Sequence, residues 1–281
     1  AAMQRQADEM QRLLNHIHQG GGAKAQERHT SRGKLLPRER INALLDPGSP
    51  FLEVAPLAAH EVYGEDVPAA GVVAGIGRVS GVECMIVASD PTVKGGTSNP
   101  WTLRKSLRAN DIAVQNRLPV ISLVESGGAD LPTQKDIFIP GGATFRNLTR
   151  LSKEGIPTIA LVFGNSTAGG AYLPGMSDHV VMIEQQSKVF LAGPPLVKAA
   201  TGEESDDESL GGADMHARVS SLADHYALDE QDAIRIGRNI VSRLNHRKAS
   251  GPATSDPKPP RYPADELLSI VPPDLKSPDR K

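Results

Sequence analysis

Val120-Ile-Ser-Leu-Val-Glu-Ser-Gly-Gly-Ala129 and Thr158-Ile-Ala-Leu-Val-Phe163, the second leading into Thr167-Ala-Gly-Gly-Ala-Tyr172, decide the fold. Each apolar run reads as a buried strand. Each glycine pair then falls at a strand-to-helix turn, where backbone N–H groups are free. Strands alternating with helices imply an α/β architecture. Two such turns can together hold one oxyanion between backbone donors, a geometry suited to chemistry through an enolate. A single Gly-Gly is more often a tight turn or a close packing contact. Its repetition after two successive buried strands makes the ligand-binding reading as strong as the structural one.

The same texture extends in both directions. Gly71–Gly77 and Glu83–Ala88 read as paired strands around a turn at Ser80-Gly81. A helix is expected from Pro100 to Arg117, with Pro100 at its first position and Leu103, Leu107 and Val114 on one face. Another helix is expected near 143–153, with strands at Val180–Ile183 and Lys188–Leu191. Asp229 or Asp232 can cap a helix running to Leu244, with Ile234, Val241 and Leu244 inward. Periodicity does not separate a doubly wound sheet from a superhelical stack of ββα units. Upstream, Met3, Ala7, Met10, Leu14 and Ile17 mark an amphipathic helix over 3–18. Residues 1–27 therefore read as a helix and linker, 28–249 as the main domain, and the proline-rich 250–281 as a linker or tail.

Composition narrows the function. The chain has 281 residues, a formal net charge of -2, and only 4% aromatics. Near neutrality and few stacking rings argue against a nucleic-acid binder. No stretch reaches the length of a membrane span and no signal segment opens the chain, so a soluble intracellular protein is expected. The one cysteine, Cys84, reads as a small core hydrophobe, and no metal site is expected. His216 and His225 fit no ligand spacing and read as core or surface histidines.

The ordered motifs around the glycine pairs go further. They are Arg28-His-Thr-Ser-Arg-Gly-Lys-Leu-Leu-Pro-Arg-Glu-Arg-Ile41, Lys94-Gly-Gly-Thr97, Glu125-Ser-Gly-Gly-Ala129, Thr167-Ala-Gly-Gly-Ala-Tyr172, Ala192-Gly-Pro-Pro-Leu-Val-Lys198 and Leu210-Gly-Gly-Ala-Asp214. This series resembles the carboxyltransferase β subunits of biotin-dependent acyl-CoA carboxylases, closest to the methylcrotonoyl-CoA and geranyl-CoA branch. The resemblance implies a crotonase-like fold of ββα superhelical turns. It also implies a single N-terminal, acyl-CoA-binding domain, without the C-terminal domain that holds biotin.

By the same resemblance, Gly169 and Gly170 would give backbone N–H groups to the enolate oxygen, with Gly128 and Ala129 flanking from the other turn. On charge alone, the basic residues Arg28, Arg32, Lys34, Arg38 and Arg40 could meet the CoA phosphates, although charge runs are more often solvated faces or pair with acidic runs such as that at 203–208. Lys94 is a better-placed cation and Pro194 a weak contact candidate. Carboxybiotin on a partner α subunit would supply CO₂ and, after decarboxylation, the base. A homo-oligomer of β subunits is implied, in bacterial cytoplasm or in the mitochondrial matrix of a eukaryote. Ser98–Trp101, Asp130 and Ile137–Thr144 depart from the family pattern. Three alternatives stand beside this reading: a propionyl-CoA or other acyl-CoA carboxylase, a crotonase-type hydratase or isomerase drawing on Glu125, Asp130 or Asp178, and a non-catalytic fragment that binds CoA esters.

Overall fold

The computed structural model describes residues 2–246 and 255–270. Of the linker expected over 250–281, residues 255–270 are described and the rest lies outside the described residues. Three helices open the chain: α1 (Ala2–Ile17), α2 (Ala23–Thr30) and α3 (Pro37–Leu44). Helix α2 runs through the boundary placed at 27/28. Strands β1 (Leu52–Glu53), β2 (Val72–Val79) and β3 (Val82–Ser89) follow, then α4 (Pro100–Asn116) and β4 (Val120–Ser126). Next come α5 (Phe138–Lys153), β5 (Thr158–Thr167), α6 (Tyr172–Gly175), β6 (His179–Ile183) and β7 (Lys188–Phe190). The described elements close with α7 (Pro194–Thr201), α8 (Asp207–Gly211), α9 (Ala213–Arg218), β8 (His225–Ala227), α10 (Glu230–Arg243) and α11 (Leu267–Ile270).

The strands form one mixed sheet in the order β1-β2-β3-β4-β5-β6-β8. The first three are antiparallel, and β3 onward is parallel. Strand β7 does not extend this path. It pairs with β5 beyond the point where β6 stops. Apolar residues fill both faces, as a mostly parallel sheet requires. Ile159, Leu161 and Phe163 of β5 join Ile41 and Leu44 of α3 and Ile234 and Val241 of α10 in one cluster. On the other face Ala109 and Ala113 of α4 and Leu151 of α5 pack with Met85 and Val120. Cys84 lies in the first cluster, where burial and then the Asp46 charge push its thiol up to about 12.

Local chemistry explains the ends. Asn99 caps α4 by accepting from the N–H groups of Trp101 and Thr102, with Pro100 inside the first turn. Asp229 caps α10 through the Asp232 N–H at 2.7 Å. Two expectations need correcting. Val114 is exposed, so the buried face of α4 is carried by Leu103, Ala109 and Ala113; small residues there let the helix sit close to the sheet. The helix expected near 143 begins at Phe138, and Pro140 lies inside its first turn, where its missing N–H costs nothing.

The β2–β3 hairpin turn is held by Asp46, which accepts from the N–H groups of Ser80 (2.7 Å) and Gly81 (2.8 Å) and from Arg238 (2.9 Å). Burial pushes the Asp46 carboxyl up, but those bonds outweigh it and hold the group below its ordinary value. Its stabilising contribution is therefore complete above about pH 4 and lost as pH falls further. Asp46→Asn should flatten the acid limb of stability below about pH 4, measured by urea midpoints across pH. An unchanged limb would refute this assignment.

Candidate active site

The two glycine pairs meet at the carboxyl ends of β4 and β5, the edge where open α/β sheets bind ligands. Ser126 and Ser166 are register partners there. Past Ser126 the chain turns through Gly127 and Gly128, and Gly128 takes a φ of 91°, a left-handed value open to glycine at no steric cost. Past Thr167 it forms a 3₁₀ turn over Ala168–Ala171, then the four-residue α6. The helix expected after this glycine pair is thus only the four-residue α6, and β5 runs on to Thr167. The turns abut: a Cβ on Gly128 would lie 3.7 Å from the Thr167 carbonyl oxygen, and one on Gly170 would lie 3.9 Å from Ser126 Oγ.

Their donors divide unequally. The Gly128 N–H donates to Ser126 Oγ at 3.2 Å, and the Gly128 carbonyl accepts from the Ser98 N–H at 2.8 Å. Among the described residues the Ala129 N–H has no acceptor. Ala129 lies in a parallel bridge with Ser98, whose bonds use Gly128 and Asp130 instead. On the second turn the leading N–H groups precede the i→i+3 ladder. Gly169 is exposed, with nothing within 4 Å of the Cβ it lacks, while Gly170 is half-buried and its carbonyl accepts from Ser166 Oγ at 2.9 Å. Tyr172 follows, stacked edge-on to Phe145 of α5 at 5.0 Å. Phe138 and Ile139 stand exposed at the start of the same helix.

A cavity of about 270 Å³ opens beside the first turn, lined by Arg28, Arg32 and Lys34 together with Gly95, Ser126 and Gly127. The basic segment thus reaches the glycine turns, but its members have different fates. Arg32 is exposed. Lys34 donates to Glu125 at 2.6 Å and to the Phe163 carbonyl at 2.9 Å. Arg38 is gripped by both oxygens of Glu53, at 2.8 and 3.0 Å, and does not line the cavity. Arg40 is buried outright, bonded to Glu230 and Glu125 over the Phe163 ring. Lys94 lines a second cavity of about 530 Å³ with His16 and Asp66. It pairs with Glu65 at 2.6 Å and lies 3.6 Å from Asp130, and the Glu65 bond first of all raises its ionisation. Pro194 opens α7, none of whose residues is buried.

The carboxylates near the turns are engaged as well. Glu125 accepts from Lys34 and Arg40, Asp130 from Thr133, and Asp178 from the Thr158 N–H and hydroxyl. His216 bridges Ser220 and the Val189 carbonyl. Sequence reasoning missed Glu230 and Gln186, because both reach the site only through tertiary contacts.

Residues 28–280 match the carboxyl transferase domain. This chain belongs to that family. It is 70% identical over 99% of its length to the probable biotin-dependent acyl-coenzyme A carboxylase beta2 subunit of Mycobacterium tuberculosis, covering 52% of that protein. It is 52% identical over 95% of its length to the probable mitochondrial methylcrotonoyl-CoA carboxylase beta chain of Drosophila melanogaster, covering 50% of that protein. Among solved structures, the geranyl-CoA carboxylase beta subunit of P. aeruginosa superposes with a TM-score of 0.89 at 44% identity, covering 99% of this chain and 51% of that one. The fold is accordingly the crotonase-like fold of carboxyltransferases. The family member described here spans about half the length of these relatives. Among its described residues no helix is long and apolar enough to cross a membrane.

Proposed function

We propose that this chain is the acyl-CoA-binding half of a carboxyltransferase β subunit, acting on a methylcrotonoyl-CoA-like thioester. One observation carries the reading: two abutting glycine turns present backbone donors beside a basic cavity. The thioester oxygen sits between the Ala129 turn and Gly169–Gly170, where N–H groups stabilise the charge that develops as the substrate's acidic proton leaves. Gly128 shapes the first turn. Arg32 and Arg28 meet CoA phosphates at the cavity, Lys34 and Lys94 add positive potential from their ion pairs, and Pro194 borders the acyl region.

Among the described residues, the carboxylates nearest the turns, Glu125, Asp130 and Asp178, are all bonded. This fits a base brought from outside and disfavours a hydratase. Carboxybiotin, carried by a partner α subunit, supplies the CO₂ and that base when bound. The chain's residues hold the thioester, polarise its carbonyl and anchor its phosphates. The assembly comprises β subunits with α subunits, in bacterial cytoplasm or the mitochondrial matrix.

Calorimetric titration with a panel of CoA thioesters tests this reading. Heat is expected with 3-methylcrotonoyl-CoA, and Arg32→Ala should weaken binding roughly tenfold, as for one charged hydrogen bond. Silence with every thioester would sink the proposal. Carboxylation is expected only with the C-terminal half and the biotin-bearing subunit; turnover of free carboxybiotin by this chain alone would contradict that part.

A further inference from the structure

The two glycine turns depend on an irregularity in the sheet. From Val124 to Ser126, β4 advances two residues, while its partner β5 advances four, from Val162 to Ser166. Over the same stretch β5 changes its other neighbour. It pairs with β6 through Val162 and with β7 from Asn165 onward. Phe163 and Gly164 are therefore left between two ladders, and buried carbonyls there must find other donors.

Side chains provide them. The Val162 carbonyl accepts from the Ser187 hydroxyl at 2.5 Å. The Phe163 carbonyl accepts twice, from Lys34 Nζ at 2.9 Å and from Gln186 Nε2 at 2.9 Å. The same Gln186 amide donates to Glu230 at 2.7 Å, and Lys34 donates to Glu125 at 2.6 Å. Glu125 sits in the short β4 segment opposite the irregularity. Its side chain crosses Gly164 so closely that a Cβ there would lie 2.7 Å from it. A bulge of this kind re-aims the chain that leaves it, and both glycine turns leave this one.

We infer that Gln186, with Lys34 and Glu125, is a positioning residue that sets the distance between the two glycine turns, so that both can reach one thioester oxygen. The inference rests on the thioester reading above. Gln186 is not among the residues that line the first cavity, so its loss should alter polarisation of the bound carbonyl more than affinity for CoA. A stabilising role alone would not produce that split.

The experiment uses 3-methylcrotonoyl-CoA labelled with ¹³C at the thioester carbonyl, bound to the parent chain, to Gln186→Leu and to the milder Gln186→Asn. The parent should move the carbonyl resonance downfield. Gln186→Leu should lose at least half of that displacement while its dissociation constant changes by less than about threefold. Gln186→Asn, whose amide is one methylene short, should lie between the two; it decides the question if Gln186→Leu fails to fold. A full downfield displacement in the folded variant overturns the positioning role and leaves the thioester reading standing. A parent that binds no thioester overturns both.

Discussion

Arg40→Met is expected to destabilise the fold by roughly 3–5 kcal/mol, the cost of stripping one partner from a buried ion pair. The guanidinium is 1% exposed. Its Nε and Nη2 donate to Glu230 at 2.9 and 2.7 Å, and its Nη1 donates to Glu125 at 2.8 Å. Phe163 lies beneath it, 4.4 Å from ring centroid to guanidinium carbon. Methionine replaces much of the volume but none of the charge. Among the described residues, Glu125 keeps Lys34, whereas Glu230 keeps only the Leu35 N–H and Gln186. A nearly buried carboxylate without a cation is the costly product. For a domain of this size the melting temperature should fall on the order of 10 °C. Arg40→Lys should recover only part of the loss, because an ammonium cannot fork between two carboxylates. Equilibrium urea denaturation reads both, and a loss under about 1 kcal/mol for Arg40→Met would show the cluster to be dispensable.

Arg40 also shows where the sequence stops being informative. In the run from Arg28 to Ile41 every cation looks alike, because charge carries no information about depth. Folding sends Arg32 to the cavity rim, Arg38 to Glu53 and Arg40 to the core. What decides Arg40's fate is where Glu125 and Glu230 arrive, and these lie 85 and 190 residues away. The strands β4, β5 and β6, by contrast, were legible, because a continuous apolar run bounded by turn residues is a local signal. So were Pro100 in the first turn of α4, Asp229 as a cap candidate for α10, and the glycine turns themselves. The three-residue β7 was legible as a strand but its place was not. Pairing with β5 beside β6, rather than continuing the sheet, is a property of the register shift and not of Lys188–Phe190. The inward face of α4 was misread for a related reason. Ala109 and Ala113 bury completely without standing out in an apolar pattern, whereas Val114 stands out and stays at the surface.

Gly169→Ala separates the remaining question, whether the turns act on a ligand or merely close the fold. At Gly164 any side chain would strike Glu125, so a substitution there tests packing. Gly169 differs on both counts that make glycine structurally necessary. Its φ is not positive, and the Cβ it lacks would meet nothing within 4 Å. Alanine should therefore leave stability within about 1 kcal/mol, and could raise it slightly by restricting the unfolded chain. On the proposed function, the same open space is where the thioester oxygen approaches the backbone. A methyl group there displaces the oxygen from its donors, and losing one such donor costs roughly 10²–10³ in rate. In the α/β assembly of the proposed function, Gly169→Ala is expected to lower kcat by that order, with the melting temperature nearly unchanged. A variant as active as its parent would mean that the oxyanion is held elsewhere, whereas a variant that unfolds would mean that Gly169 serves the turn and not the substrate.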